Sequence, residues 1–401
     1  MNLQNAENHI HLSLLKLFKD LLMYSLEVKN IVIKHYILLM LLFYANTNLA
    51  QDTSSLKDIF KGKFLIGAAI NFDQSVNKDL IAASIVIREF NSVTPENAMK
   101  WEHIHPVEGT YTFEPADKFV SFGKDRNMFI VGHTLVWHSQ TPKWVFESEP
   151  GKPASREQLI ERMHDHISTI VGRYKGVVKG WDVVNEALNE DGSFRESPWF
   201  KIIGEDYIEL AFKFAHEADP EAKLYYNDFS IENKPKRDGT VRLFKMLKEK
   251  GVTIDGIGIQ EHVKMNWPSA EQLDSTINDF HSAGADVMIT ELDVDVLPAA
   301  DKSNTADVNL KLEMQKELDP YTSGLPDSVQ NALANRYAEL FNVYIRNSDK
   351  ISRVTLWGVT DKDSWLNNWP VRGRTSYPLL FSRSGEPKKA YYSIINAAEK
   401  K

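Results

Sequence analysis

The 401-residue chain contains no cysteine, which excludes disulfide bonds and thiolate metal sites. It has no long basic run, and its formal net charge is −8, which argues against nucleic acid as a partner. Hydrophobic residues make up 43% and charged residues 25%, the balance of a globular chain with a large core. The composition therefore indicates a folded protein and argues against a disordered one.

The sequence after residue 50 also lacks a Ser-, Gly- or Pro-rich linker. Its length suits one large domain or two ordinary ones, and barrels of alternating strands and helices often exceed two hundred residues. Because no composition shift divides it, we predict a single domain over residues 51–401, preceded by a leader over residues 1–50.

The leader is typical of a signal peptide. Lys29 and Lys34 precede an apolar run at 36–44, and the small residue Ala50 follows at the expected cleavage point. The run is shorter than the roughly 20 residues that a membrane-spanning helix needs. These features predict a secreted or periplasmic protein with no stable membrane association after cleavage. A retained anchor and a cytoplasmic protein are the alternatives.

Short apolar runs alternate with amphipathic segments along the rest of the chain, which is typical of repeated strand–helix units and a parallel sheet. Eight runs predict strands: 64–70, 92–96, 129–137, 180–186, 223–228, 256–262, 287–293 and 354–360. Helical patterns include 158–173, 207–218, 239–250 and 272–283. Eight such repeats predict an α/β fold, a (β/α)₈ TIM barrel.

Most of the predicted strands end in polar or aromatic residues, although buried polar groups need partners. They are Glu96, Asn97, His133, Trp137, Asn185, Glu186, Asn227, Asp228, Gln260, His262, Glu291, Asp293 and Trp357. In a (β/α)₈ barrel the carboxyl ends of all strands meet at one face, which holds the active site. These residues are therefore expected to line one cleft, with the long segment 297–335 either beside it or on the surface.

Two carboxylates at strand ends, Glu186 and Glu291, suit glycoside hydrolysis. In that reaction one acid protonates the leaving oxygen, and the other attacks the anomeric carbon or activates water. The sequence alone leaves open the carboxyl separation that distinguishes retention from inversion.

The neighbours of each carboxylate suggest its role. Strand alternation places Glu291 and Asp293 on one side, where a His–Asp pair would keep Glu291 ionised as the nucleophile. Asn185 adjoins Glu186, which becomes the acid/base if an apolar setting and the charge of Glu291 raise its pKa. This chemistry requires neither a metal nor an organic cofactor.

Six segments, in chain order, resemble signatures of the family 10 glycoside hydrolases, the (β/α)₈ xylanases. They are 94–101 (TPENAMKW), 132–140 (GHTLVWHSQ), 181–186 (WDVVNE), 258–262 (GIQEH), 289–293 (ITELD) and 357–365 (WGVTDKDSW). The resemblance extends over about residues 55–398. It implies a retaining endo-1,4-β-xylanase that acts on xylan and xylo-oligosaccharides, as a monomer by default. The rival interpretations are a β-1,4-glucanase and a carbohydrate-binding barrel without turnover.

The resemblance also implies roles for single residues. Glu96, Asn97 and Lys100 would bind the xylose one ring from the cleavage point on the non-reducing side, and Trp365 would cover sugars near that end. His133, Trp137, Gln140, Asn185, Gln260 and Trp357 would surround the reacting ring. Tyr226 and Asn227 would face the leaving group. His262 would hydrogen-bond Glu291, with Asp293 behind it.

Four features depart from the family pattern or lie outside it. Asp363 stands where relatives often carry an aromatic residue, and Glu261 adds a charge within the sixth-strand segment. Arg372 and Arg374 either reach the substrate or pair with surface acids, and the surface interpretation is favoured. Two histidine pairs, at 103 and 105 and at 164 and 166, resemble metal ligands, but each lacks a third ligand at suitable spacing and is expected to be structural.

Overall fold

The computed structural model describes residues 54–299 and 316–400, together with Lys16, Lys19 and Met23. Its contacts divide the chain into two units, Met1–Ser54 and Ser55–Lys401, and the fold below is that of the second. The proposed signal peptide lies outside the described residues apart from those three positions. None of the helices within the described ranges is long and apolar enough to cross a membrane.

Eleven strands occur in the described part of the second unit. They are β1 Leu65–Ile70, β2 Ser92–Pro95, β3 Phe129–Trp137, β4 Glu147–Glu149, β5 Lys152–Pro153, β6 Gly180–Asn185, β7 Lys223–Asp228, β8 Gly256–Ile259, β9 His262–Lys264, β10 Asp286–Asp295 and β11 Ile351–Leu356. Eight of them pair in parallel in the order β11-β1-β2-β3-β6-β7-β8-β10, and pairing of β10 with β11 closes the ring. The predicted (β/α)₈ barrel is confirmed. The short strand β9 extends the sheet beside β10, and β4 and β5 form a separate antiparallel pair.

The α-helices connect these strands. They are α1 Leu56–Ile59, α2 Phe72–Ser75, α3 Leu80–Glu89, α4 Trp101–Ile104, α5 Glu114–Lys124, α6 Arg156–Arg173, α7 Pro198–Ile203, α8 Tyr207–Ala218, α9 Lys234–Glu249, α10 Ala270–Ser282, α11 Asp327–Arg346 and α12 Lys389–Glu399. Helix α6 shows why they form: Ser155 and Gln158 make a reciprocal capping box at its start. Residues Leu159, Met163 and Ile167, spaced four apart, are fully buried, so one face of α6 packs inward.

The barrel strands are buried on both faces, as parallel strands covered by helices must be. All six residues of β6 are buried. Gly132 on β3 shows how closely neighbouring strands pack, because a Cβ there would lie 2.1 Å from the ring of Trp181 on β6. Only glycine at this position leaves room for the indole, so the two strands keep their register.

Some element boundaries differ from the sequence predictions. The predicted strand 256–262 is two strands, because Glu261 adopts a left-handed φ of 62° between β8 and β9. The predicted strand 354–360 spans Ile351–Leu356 instead, and Ile351 pairs with Val287. Helix α9 begins at Lys234, earlier than predicted, with a proline in its first turn, where the missing N–H costs no hydrogen bond.

Candidate active site

A cavity of about 340 Å³ opens among residues that follow the carboxyl ends of the barrel strands. Its lining is Glu96, Asn97, Lys100, Trp137, Gln140, Glu186, Gln260, His262, Trp357, Asp363, Ser364, Trp365, Asn368 and Trp369. Most of the residues predicted to bind substrate are therefore brought to one place from distant parts of the chain. The placement follows from the parallel barrel, in which these strand ends share one face.

Glu186 immediately follows β6 and takes a left-handed φ of 58°, which ends the strand. Its side chain is 4% exposed. The indole Nε1 of Trp137 donates to its Oε2 at 2.8 Å, and Gln260 Nε2 donates to its Oε1 at 3.1 Å. Because these donors fix both oxygens, the carboxyl group has one orientation in the cleft.

Burial raises the pKa of Glu186 to about 7, and the nearby charges of Asp228 and Glu291 add to the increase. The hydrogen bonds from Gln260 and Trp137 oppose it but do not cancel it. The predicted elevation is present, although the charge of Asp228 contributes more to it than that of Glu291. Near neutral pH this carboxyl can therefore hold a proton and give it up, as a general acid/base requires.

Glu291 lies within β10 and has opposite electrostatics. Burial by itself raises its pKa, but the hydrogen bond from His262 and the charges of His133 and His262 outweigh it, so the pKa of Glu291 falls below its usual value. His262 Nε2 lies 3.2 Å from Glu291 Oε2, and its Nδ1 lies 3.1 Å from Asp293 Oδ2. Burial opposes charge on His262, yet Asp293 and Glu291 raise its pKa to about 10, so the imidazolium persists and keeps Glu291 ionised.

A network of amides joins the two carboxylates. Asn227 Nδ2 donates to Glu291 Oε1 at 2.7 Å and to Asn185 Oδ1 at 2.9 Å, and Asn185 Nδ2 donates to Glu186 Oε1 at 3.3 Å. The register pairs Asn185 with Asn227 across β6 and β7, which places their side chains together. On β8, Gly258 leaves space for this network, because a Cβ there would lie 2.4 Å from Asn227 Oδ1.

Lys100 is buried beside the cleft. Its Nζ lies 3.2 Å from Asn97 Oδ1 and 5.3 Å from the ring centroid of Trp137, an arrangement that suits a cation–π contact. Burial lowers the pKa of Lys100, while the charges of Glu291, Glu96 and Glu186 act in the opposite direction. Burial also raises the pKa of Glu96. Lys100, Asn97 and Glu96 can therefore present hydrogen-bond donors and acceptors to sugar hydroxyls that lie next to the two catalytic carboxylates.

Tryptophan rings form much of the remaining wall. Trp365 Nε1 donates to Asp293 Oδ2 at 2.6 Å, and its ring stacks on Trp369 with centroids 4.6 Å apart. Trp357 meets His133 edge-on at 5.3 Å. Since Asp293 binds both His262 and Trp365, the carboxylate that supports the nucleophile also orients an indole of the cleft.

Three residues are placed differently from the sequence expectation. Tyr226 is 1% exposed and does not line the cavity, and its hydroxyl accepts from the Ala187 amide and donates to Asp228. Arg374, expected at the surface, is buried with its Nη2 3.8 Å from Asp295. His133 lies outside the lining and bonds Asp182 at 2.9 Å. The positions of Tyr226 and His133 depend on the direction of their side chains, and that of Arg374 depends on the path of its loop.

Asp182, Thr290 and Trp369 were not predicted, and Asp228 was expected at the cleft without a role. Asp182 supports His133, Asp228 contributes to the raised pKa of Glu186, and Thr290 donates to Asn227 Oδ1 at 2.6 Å. Trp369 lines the cavity beside Trp365. Asp182 and Asp228 carried a signal, since each is an acid within an apolar strand. Trp369 lies in a polar loop whose path the sequence does not reveal.

No cluster of three or more potential metal ligands exists in the part of the chain that the structure describes. The histidine pairs noted in the sequence instead contribute His105 and His166, whose Nδ1 atoms lie 3.3 Å apart. His166 stacks on Trp101 at 3.5 Å, and His105 stacks on Tyr111 at 3.8 Å. These imidazoles belong to an aromatic stack away from the catalytic cavity lining.

The structure is a parallel (β/α)₈ barrel in which an amide network links one protonatable carboxyl group, Glu186, to one ionised carboxyl group, Glu291. These features define a class of proteins, the barrel glycoside hydrolases. The model of glycosyl hydrolase family 10 matches residues 55–397. The chain belongs to this family, as its sequence motifs predicted.

Relatives agree with this assignment. Endo-1,4-beta-xylanase A of Xylanibacter ruminicola is 46% identical over 350 residues, which cover 87% of this chain and 95% of that protein. Beta-1,4-xylanase of Dictyoglomus thermophilum is 40% identical, with 86% and 91% covered. The structure of a family 10 endoxylanase from a sugarcane soil metagenome superposes with a TM-score of 0.82 at 47% identity, covering 85% of this chain and 99% of that one.

Proposed function

We propose that the chain is an endo-1,4-β-xylanase that cleaves internal bonds of xylan with retention, Glu186 being the acid/base and Glu291 the nucleophile. This proposal rests on the opposite pKa shifts of two carboxyl groups that one amide network links. The pKa of Glu186 is raised to about 7, and that of Glu291 is lowered. Two acids whose environments separate their pKa values have their acid and base roles assigned by those environments. The names of its relatives support xylan as the substrate.

In the first step Glu291 attacks the anomeric carbon while Glu186 gives its proton to the departing glycosidic oxygen. The carbon–oxygen bond to the leaving sugar breaks, and an ester bond to Glu291 forms. Esterification removes the charge of Glu291, which lowers the pKa of Glu186 because that charge is one of the causes of its elevation. Glu186 then accepts a proton from water as the water displaces Glu291, which restores both groups.

The cleft suits xylose for a steric reason. Xylose lacks the hydroxymethyl group of glucose, and the indole rings of Trp357 and Trp365 line the cavity, where such a group would have to fit. Discrimination against glucose would then arise from a clash as much as from added contacts. The amides of Asn185 and Gln260 hold the carboxyl of Glu186 and are placed to orient the hydroxyls of the reacting ring.

The decisive experiment is product analysis with xylohexaose and with the matching cello-oligosaccharide, using wild type and Glu291→Gln. Wild type should release short xylo-oligosaccharides from internal positions, and Glu291→Gln should release none. Faster cleavage of the cello-oligosaccharide would assign a β-1,4-glucanase instead. Binding of xylohexaose without any reducing-sugar release by the wild type would identify a non-catalytic carbohydrate-binding barrel.

For residues 1–50 we propose a signal peptide cleaved after Ala50, which exports a monomeric enzyme that does not stay on the membrane. The basic residues before the apolar run support this proposal. Expression of the full chain should give an exported protein that begins at Gln51, with the light-scattering mass of one chain. Recovery from the membrane fraction with the leader intact would indicate an anchor, and recovery from the cytoplasm would remove the export proposal.

A further inference from the structure

Two buried glutamates, Glu232 and Glu261, face each other beside the active site. Each is 1% exposed, and the two carboxyl groups are close enough for each to act on the pKa of the other. Within the described residues, both oxygens of Glu232 and Oε1 of Glu261 are buried without a hydrogen-bond donor, and Oε2 of Glu261 lies 3.5 Å from the Tyr344 hydroxyl. A hydrogen bond between two carboxyl groups requires a proton on one of them, so the pair must hold a proton to be stable in the interior.

The position of Glu261 in the chain connects this pair to catalysis. Its neighbours are Gln260, which donates to Glu186 at 3.1 Å, and His262, which lies 3.2 Å from Glu291. The left-handed φ of 62° at Glu261 separates β8 from β9 at this point. While Gln260 and His262 contact the catalytic carboxylates, the side chain of Glu261 reaches Tyr344 on α11. Movement of Glu261 would therefore displace the partners of both catalytic groups.

We propose that Glu232 and Glu261 share one proton and act as a positioning pair that holds the Gln260–His262 segment in its catalytic conformation. The inference deepens the proposed function and rests on it, because the two groups being positioned are the acid/base and the nucleophile. Neither glutamate lines the cavity, and the described side-chain contact of Glu261 is with Tyr344 on α11. The pair contributes through the backbone and side chains of the segment between β8 and β9.

Burial and the repulsion between the two glutamates favour the shared proton, and the nearby cations oppose it only in part. Lys236 on α9 and Glu190 act on Glu232, whereas Arg336 and Tyr344 on α11 act on Glu261. Burial raises the pKa of Glu261, the charge of Glu232 raises it further, and Arg336 only partly opposes this. Burial likewise raises the pKa of Glu232. Both acids have folded-state pKa values above their unfolded values, so the stability they contribute is present at low pH and is lost as pH rises.

The test uses Glu261→Gln and Glu232→Gln, because a glutamine amide donates to the remaining carboxylate at every pH. The exposed Glu217 on α8 provides the matched control, Glu217→Gln. The substrate is a 2,4-dinitrophenyl xylobioside, whose leaving group needs no proton, so loss of the Glu186 proton does not limit its cleavage. The alkaline fall of kcat/KM should move upward by about one pH unit or more in both pair variants, and should not move in the control.

Thermal unfolding gives a second readout that does not depend on activity. Between about pH 6 and about pH 9 the wild type and the control should lose more of their melting temperature than either pair variant, because only they expel the shared proton. The two variants test the pair from opposite sides, so one remains informative if the other does not fold. If the alkaline limb is set by His262 instead, it should be identical in the wild type, the two pair variants and the control. That result would overturn the proposal. Absence of xyloside cleavage at every pH would defeat the proposed function, while the melting comparison would still test the pair.

Discussion

Asn227 donates to Glu291 Oε1 at 2.7 Å, and the same Nδ2 lies 2.9 Å from Asn185 Oδ1. A single amide group therefore holds one catalytic carboxylate and the asparagine that touches the other. Since donors that prefer the ionised form lower a pKa, this contact helps to keep Glu291 negative. The separation of roles between two chemically identical side chains thus depends on contacts made by residues of several strands.

The roles of the two acids are testable by azide rescue. With a 2,4-dinitrophenyl xylobioside, Glu291→Ala with azide should give the inverted glycosyl azide, because azide attacks from the face that the nucleophile occupied. Glu186→Ala should give the retained azide, because Glu291 still forms the ester first. On xylan, Glu186→Ala should lose about 10²–10⁴-fold in kcat/KM, with a much smaller loss on the activated substrate. The opposite pairing of anomers with variants would reverse the assignment.

The pH profile follows from the two shifted carboxyls. Activity on xylan should fall as pH rises through about 7, because Glu186 then loses the proton that it must donate. The acid limb should lie below pH 4.5, because Glu291 stays ionised to lower pH than an ordinary glutamate. The measurement is kcat/KM on xylohexaose against pH. An alkaline limb on xylohexaose far from pH 7 would show that another group controls it.

Glu186 should also affect stability in a defined direction. Its folded-state pKa is raised, so the stability it contributes is lost as pH increases from about 4.5 toward 7. Glu186→Gln removes this ionisation, and the inactive variant should melt at a higher temperature than wild type above pH 7 and at a similar temperature at low pH. Thermal unfolding of the two proteins at several pH values checks this expectation, and equal pH dependence would contradict it.

His262 is expected to set the acid limb. Replacing it with asparagine removes both the hydrogen bond to Glu291 and a positive charge, so the pKa of Glu291 should rise. The acid limb of kcat/KM should move upward accordingly, with a loss of roughly 10²-fold at the optimum. His281→Asn on the exposed side of α10 is the control and should leave the acid limb and the activity at the optimum unchanged. A loss of activity without movement of the limb would indicate that His262 acts on something other than the charge of Glu291.

Gly258 tests the packing behind the network. A Cβ at this position would lie 2.4 Å from Asn227 Oδ1, so Gly258→Ala should displace the amide that binds Glu291. We expect a loss of about 1–3 kcal/mol in unfolding free energy and a fall in kcat larger than the change in KM. Gly172→Ala on α6, where an added Cβ meets no atom within 4 Å, should retain wild-type kinetics. Normal activity in Gly258→Ala would mean that Asn227 has room to adjust.

The sequence by itself determined the repeat of strands and helices and which residues stand at strand ends. The predicted run 223–228 matches strand β7 at both ends, because its apolar centre, 224–226, is buried as a strand covered on both faces requires. It also identified the family, since short motifs at strand ends keep their order along the chain. Glu186 and Glu291 were recognisable because an acid that closes an apolar strand is costly to bury unless it has partners.

Only the tertiary structure decided which atoms of those residues meet. The direction of the Tyr226 side chain and the buried position of Arg374 depend on packing between elements far apart in sequence. The kink at Glu261 and its contact with Glu232 have no local signature, because a left-handed residue and a partner from another loop are selected by the assembled barrel. Electrostatic coupling depends on distance and burial, and both arise only when the strands close into a ring.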